Sequence, residues 1–136
     1  MKNIVALSSL FLALLVPPLA DQRACAENWQ AWRGPRGDGT SGEKNAPVKW
    51  NGKTGENIAW KTAIPGAGHA SPIIWNDRIF TVSTLEDKGE RVLLCLNRSD
   101  GSIRWRKTVF KAPLETIHRL NSRASSTPST DGKLVY

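Results

Sequence analysis

Histidine is the side chain best suited to exchange a proton or bind a metal near neutral pH, and this chain contains two. His69 and His118 are 49 positions apart, and neither has a Cys, Asp or Glu partner at the short spacing that zinc sites use. The sequence therefore predicts no metal site, and it assigns no catalytic residue.

His118 belongs to a polar group that also contains Arg119, Asn121 and Arg123. These residues fall in a long segment between predicted strands, and loops held on a rigid scaffold are where binding residues concentrate. The four residues are therefore candidates for contacting a partner. The alternative is an ordinary solvent-exposed loop.

A cluster of glycines near the amino terminus resembles a phosphate-binding loop. The glycines are Gly34, Gly37, Gly39 and Gly42, but Glu43 follows where such a loop needs a Lys followed by Ser or Thr. The cluster therefore indicates a turn-rich loop without a nucleotide.

The first residues have the order of a secretory signal peptide. Lys2 precedes an apolar run over residues 4–20, and Ala24 and Ala26 supply the small residues of a cleavage site. We expect residues 1–26 to be removed, which places the mature chain in the periplasm or outside the cell with no transmembrane segment. An uncleaved membrane anchor is the alternative.

The two cysteines differ in their expected fates. Cleavage after Ala26 removes Cys25, and the preceding Gln22 and Arg23 are unlike the small and aliphatic residues of a lipoprotein signal. Cys95 is then the single thiol of the mature chain, so no intramolecular disulfide can form.

The net charge of +7 raises the question of nucleic-acid binding. Such a surface gathers its cations in one groove and adds stacking aromatic side chains. Here the basic residues are scattered over predicted strands of an exported chain. The sequence therefore predicts no nucleic-acid partner.

The central part of the chain reads as an all-β meander. Four β-prone runs, over residues 71–75, 78–84, 91–96 and 103–109, are separated by short turn segments. The unbroken apolar run from Val92 to Leu96 is typical of a strand that is buried on both faces. A lone meander cannot cover both of its faces, so neighbouring sheets are required.

Two internal similarities indicate where those neighbours come from. Trp60 lies in a short run of Ile and basic residues, and a similar run recurs 45 positions later around Trp105. Ser71-Pro72 is similar to Thr127-Pro128, which comes 56 positions later. Each pair is followed by a turn and a second apolar run. The spacing of 45 residues is typical of a β-propeller with four-stranded blades. The alternative is a single β-sandwich in which the Trp spacing is fortuitous.

The string CLNRSDGSIRW, from Cys95 to Trp105, resembles the tryptophan-docking repeat of the quinoprotein β-propellers. Gly101 and Trp105 match the repeat Ala-x-Asp-x-x-Thr-Gly-x-x-x-Trp in identity and spacing. Asn97 and Asp100, like the initial Cys, are substitutions.

Three further strings are similar to this family. Asn51 to Trp60 keeps Gly55 of the repeat but places its Trp one residue late. Residues 28–39 and 68–80 resemble the openings of exported bacterial proteins with quinone-binding-like propeller repeats.

The resemblance implies a partial β-propeller held together by Gly55, Trp60, Gly101 and Trp105, which dock neighbouring blades. Residues 27–56 are then a Gly-rich lead-in loop, and residues 57–136 hold the blades. Within the latter range we expect an unpartnered closing strand (57–64), a full blade (70–109), an inserted loop (110–125) and the start of a next blade (126–136).

The resemblance leaves two functional classes. One is a non-enzymatic exported scaffold that binds a protein partner or another ligand, and the other is a calcium-dependent alcohol or sugar dehydrogenase that uses pyrroloquinoline quinone. Such an enzyme needs oxygen ligands for calcium, an Asp base and often an adjacent Cys pair. None of these is assigned in this sequence, which favours the scaffold without a cofactor.

Overall fold

The computed structural model describes residues 26–136, so the predicted signal peptide and Cys25 lie outside the described part. The fold is all-β, with one four-stranded antiparallel sheet in the order β1-β2-β3-β4. The strands are β1 (Ile73–Trp75), β2 (Arg78–Leu85), β3 (Glu90–Asn97) and β4 (Ile103–Lys111), with a short 3₁₀ turn at Glu86–Lys88. Residues 26–136 contain no helix with the length and apolar character needed to cross a membrane.

Short turns set the meander, as the sequence predicts. Asn76 takes a left-handed φ of 53° between β1 and β2, a conformation that Asn tolerates better than most residues. Gly101, with φ of 72°, closes the turn between β3 and β4. The predicted four-stranded antiparallel sheet is confirmed.

Both faces of β3 are packed, again as predicted. On one face Val92, Leu94 and Leu96 form a cluster with Leu85, and all four are buried. On the opposite face Cys95 packs between the core side chains of the first two strands. Burying each aliphatic side chain contributes about 1.5–3 kcal/mol, so β3 is the central element of the core.

Residues 57–64, predicted to be a strand, form no strand in the structure. Trp60, Thr62 and Ile64 line a cavity together with Ile79 and Leu96, which places this segment over the face of the sheet. The segment covers the sheet without extending it.

A second hairpin follows the inserted loop and repeats the pairing of the first. Ile74 pairs with Ile79 in the β1–β2 hairpin, and Thr130 pairs with Val135, each partner 56 positions later. The backbone groups of Ser129 exchange two hydrogen bonds with Tyr136, at 3.0 and 2.8 Å. The repeat seen in the sequence is therefore also a repeat of backbone register.

The amino-terminal residues connect the two hairpins. The amide and carbonyl groups of Trp29 exchange hydrogen bonds of 2.8 and 2.9 Å with Ile74. The carbonyl of the next residue, Gln30, accepts a hydrogen bond of 3.0 Å from the Thr130 amide. Residues 28–30 thus form a backbone bridge between β1 and the second hairpin.

Candidate functional site

Trp60 lies against the turn between β3 and β4. Its indole Nε1 donates a hydrogen bond of 2.9 Å to the Arg98 carbonyl, and a Cβ at Gly101 would lie only 2.6 Å from Trp60 Cδ2. The Thr62 hydroxyl donates to the Gly101 carbonyl at 2.8 Å. These contacts bring together two of the predicted docking residues, Trp60 and Gly101.

The turn that receives Trp60 is held by its own hydrogen bonds. The Gly101 amide donates to the Asn97 carbonyl at 2.8 Å, and the Asn97 amide donates to the Ser102 carbonyl at 2.8 Å. Asp100 accepts bonds from the hydroxyl and the amide of Ser102, and these lower the pKa of its carboxyl group. The turn is therefore formed independently of the indole that covers it.

Gly55 occupies a turn of the same kind, but no ring lies on it. Its amide donates to the Asn51 carbonyl at 2.9 Å, and its φ is 82°. A Cβ at Gly55 would meet nothing within 4 Å. Gly55, predicted to dock a neighbouring blade, is bare in the described chain.

Trp105 lies on β4, all of whose residues are exposed. Its ring packs at 6.0 Å from that of Phe80, yet 42 % of the residue remains exposed. The predicted position between two blades leads us to expect a more enclosed indole. The partial exposure follows because β4 is the edge strand of the described sheet.

A third indole contact involves residues that the sequence analysis did not single out. Trp75, at the end of β1, lies against the turn of the second hairpin, where a Cβ at Gly132 would be 2.7 Å from Trp75 Cε2. This turn, at Asp131-Gly132, is the one that the sequence predicts after Thr127-Pro128. Nothing in the local sequence pairs this turn with Trp75, because Gly132 lies 57 positions after Trp75.

Two arginines hold the base of the inserted loop. Arg91 forms an ion pair with Glu115 and donates a hydrogen bond of 3.2 Å to the Ala112 carbonyl. Arg123 pairs with Glu86 at 2.7 Å and donates two hydrogen bonds, of 3.0 and 2.8 Å, to the Glu115 carbonyl. These bonds fix both ends of the loop to the β2–β3 end of the sheet.

The electrostatics of the loop base reflect this arrangement. A hydrogen bond from its own backbone amide and the ion pair with Arg91 lower the pKa of the Glu115 carboxyl group. The side chains of Arg91 and Arg123 are only 12 % and 18 % exposed, so both guanidinium groups are largely covered. Sequence reasoning did not single out Arg91, whose only signal is a cation at the start of the otherwise apolar strand β3.

The four predicted loop residues fall into two pairs. Arg123 is committed to the loop base, and Asn121 accepts hydrogen bonds from the Ser122 amide and the Ser125 hydroxyl at 2.9 and 2.7 Å. His118 and Arg119 are exposed at the tip, where His118 Nδ1 accepts a bond of 3.3 Å from the Leu120 amide. The tip therefore presents a basic turn on an anchored loop.

A cavity of about 420 Å³ lies between the sheet, the inserted loop and the second hairpin. Leu93 and Val109 form part of its apolar lining, and Arg91 and Arg123 also line it. Because both cations are already paired with carboxylates, the cavity offers mainly an apolar contact.

Within residues 26–136 no three His, Cys, Asp or Glu side chains gather as potential metal ligands. The recognition features that those residues offer are the covered Gly101 turn, the bare Gly55 turn and the anchored loop. Comparison with protein-family models, with curated proteins and with solved structures finds no match for this chain.

Proposed function

We propose that this chain contributes blades to an exported β-propeller of the quinoprotein-repeat type, which acts as a non-enzymatic scaffold. Its inserted loop, which begins at residue 112 rather than 110 because β4 extends to Lys111, binds a protein partner through residues 112–125. The observation that carries this function is the construction of the loop, whose base is fixed by Arg91 and Arg123 while its tip stays exposed. A loop that is ordered before binding loses less conformational entropy in the complex.

The composition of the tip defines the kind of partner. His118 and Arg119 are exposed, and the next residue, Leu120, is 69 % exposed. A cation beside an exposed apolar side chain fits a protein surface with a carboxylate next to an apolar patch. The partner therefore has an acidic and apolar contact site.

The propeller assignment is supported by contacts between neighbouring repeats. The segment that carries Trp60 packs on the Gly101 turn of the following sheet, and β1–β2 recurs in the second hairpin with the same pairing. Propellers stack four-stranded units in this way, and their sequence periods are close to the spacing of Trp60 and Trp105.

A photocrosslinking experiment tests the proposed binding loop. A photoreactive amino acid replaces Arg119 in the gene product as its own host makes it, and the matched control carries the same amino acid at Lys44, an exposed residue of the lead-in loop. We expect one discrete protein adduct from position 119, no adduct from position 44, and loss of the adduct when Leu120→Ala is added.

Two results would overturn the proposal. One is equal crosslinking from positions 119 and 44, which would show that the loop has no specific partner. The other is a purified gene product with a quinone absorbance band and stoichiometric calcium, which would identify a dehydrogenase.

A further inference from the structure

The turn that begins at Asn51 holds the side-chain amide of that residue by its oxygen. Asn51 Oδ1 accepts hydrogen bonds of 2.9 and 3.3 Å from the backbone amides of Lys53 and Thr54. Asn51 Nδ2, by contrast, has no hydrogen-bond partner among residues 26–136. The amide carbonyl is therefore fixed and polarised, while its amino group can leave without breaking a bond to the protein.

The backbone nitrogen that follows Asn51 is also unbonded. Gly52 is exposed, and its amide donates no hydrogen bond within the described part of the chain. A Cβ at Gly52 would meet nothing within 4 Å, and its φ is not positive. Because glycine has no side chain, nothing on this residue hinders the approach of its nitrogen to the Asn51 amide carbon.

We propose that Asn51–Gly52 is a site of spontaneous covalent modification in the folded chain. The Asn51 amide closes to a cyclic succinimide, which water then opens to an acid. The reaction uses neither the inserted loop nor a partner, so its test is independent of the proposed function.

The first step is an intramolecular displacement of ammonia. The Gly52 nitrogen loses its proton to hydroxide and attacks Asn51 Cγ, which forms the new N–C bond of a five-membered ring. The Cγ–Nδ2 bond then breaks, and Nδ2 leaves as ammonia after taking a proton from water. Negative charge develops on Oδ1 during the attack, and the amides of Lys53 and Thr54 already donate to that atom.

Water opens the ring in one of two ways. Breaking the bond between Gly52 N and Cγ gives aspartate at position 51. Breaking the bond between Gly52 N and the Asn51 carbonyl carbon gives isoaspartate, in which the backbone continues through Cγ. The net reaction converts one amide and one water to one carboxylate and one ammonium ion.

Asn97 begins a turn of the same kind but is held at both reactive nitrogens. Its Nδ2 donates a hydrogen bond of 3.2 Å to Asp100. The next backbone nitrogen, that of Arg98, donates to the Asp77 carbonyl at 2.9 Å. Because the leaving group and the nucleophile are both engaged, Asn97 should keep its amide in the folded chain.

The two products affect the turn differently. An aspartate at position 51 keeps an oxygen that accepts the Lys53 and Thr54 amides, and its charge strengthens those bonds. Isoaspartate lengthens the backbone by one carbon and turns the carbonyl that accepts the Gly55 amide into a carboxylate. Amide exchange in residues 53–56 should therefore rise in the isoaspartate product and stay as in wild type in Asn51→Asp.

Peptide mapping by mass spectrometry tests the proposal on the exported chain at mildly alkaline pH. We expect Asn51 to convert to an acid about tenfold or more faster than Asn97, and a protein isoaspartate methyltransferase to label the product. Gly52→Ala, whose Cβ has space in the fold, should slow the conversion by about tenfold because the methyl group hinders the attack.

Arg98→Gly is the matched control, because it places glycine after both Asn residues while keeping the bonded nitrogen at position 98. Its Asn97 should stay unconverted in the folded chain and convert as fast as Asn51 in urea. Circular dichroism verifies that this variant folds, and if it does not, wild type with and without urea decides. Conversion of wild-type Asn51 in urea only, a product without isoaspartate, or equally fast conversion of Asn97 in the folded variant would each overturn the proposal.

Discussion

At the scale of single residues, position 101 needs glycine for two reasons that can be measured separately. Its φ of 72° disfavours any side chain, and the ring of Trp60 fills the place of a Cβ. We expect Gly101→Ala to lower the free energy of unfolding by about 2–4 kcal/mol, from backbone strain and overpacking together. Urea unfolding in dilute solution measures the loss.

Gly55→Ala is the control, because Gly55 has a similar φ of 82° and open space around it. Gly55→Ala should lower the free energy of unfolding only by the cost of backbone strain, about 1 kcal/mol. Equal losses for the two variants would contradict the contact between Trp60 and the Gly101 turn.

Asp77 provides a test by pH. A hydrogen bond of 2.6 Å from Arg104 holds the pKa of the Asp77 carboxyl group below its usual range. A lowered pKa in the folded state stabilises the fold above the ordinary Asp pKa near 4, and this contribution disappears as the pH falls through the folded-state value. We therefore expect Asp77→Asn to melt at a lower temperature than wild type at pH 7, with the difference closing under acid conditions.

Thermal melts from pH 7 down to strongly acidic conditions follow this difference. Asp87→Asn, in the exposed 3₁₀ turn, is the control carboxyl group and should show the same melting temperature as wild type throughout. If the melting temperatures of wild type and Asp77→Asn differ by the same amount at every pH, the carboxylate charge is not the cause of the difference.

At the scale of elements, Arg123 ties the inserted loop to the β2–β3 end of the sheet through Glu86 and the Glu115 carbonyl. Replacing its guanidinium group removes the hydrogen bonds to the Glu115 carbonyl and the ion pair with Glu86. Water partly screens that ion pair, because Glu86 is exposed. We expect Arg123→Gln to speed amide exchange in residues 112–125 by about fivefold and to leave β3 unchanged. Hydrogen exchange with mass spectrometry measures both.

Arg119→Gln, at the exposed tip of the same loop, should leave exchange in residues 112–125 as it is in wild type. If both arginine variants accelerate exchange equally, the loop is not anchored by Arg123.

Turn chemistry and apolar patterning predict the four strands of the meander because both are local properties of the sequence. Residues 57–64 are different, since their β-prone pattern does not say whether the segment pairs at an edge or lies over a face. Asn57 takes a φ of 53° and donates its side-chain amide to the Lys49 carbonyl. This extra residue accounts for the later position of Trp60 after its glycine.

At the scale of the whole molecule, the four residues predicted to dock blades show which part of the fold the sequence does not determine. The resemblance implies docking roles for Gly55, Trp60, Gly101 and Trp105. Which indole lies on which glycine depends on how separate repeats stack, and that is a property of tertiary structure. Trp60 therefore contacts the glycine of the following repeat, whereas Gly55 and Trp105 stay exposed in the described chain.

The signal-like order of residues 1–26 predicts cleavage after Ala26. Intact-mass spectrometry should find a mature chain that begins at Glu27 and carries no lipid. Its new α-amino group would lie beside Glu43, whose Oε1 accepts a hydrogen bond of 3.0 Å from the Glu27 nitrogen. A chain beginning at Cys25 with attached acyl groups would contradict the prediction.

The backbone bridge of residues 28–30 sets the order in which this molecule can fold. The ribosome makes Gln30 early, but its partner, the Thr130 amide, is added 100 residues later. Each hairpin closes a short loop and forms quickly, whereas joining Gln30 to Thr130 closes a long one at a greater cost in chain entropy. We therefore expect the meander, with Trp29 on Ile74, to form before the contact between Gln30 and Thr130, which waits for the second hairpin.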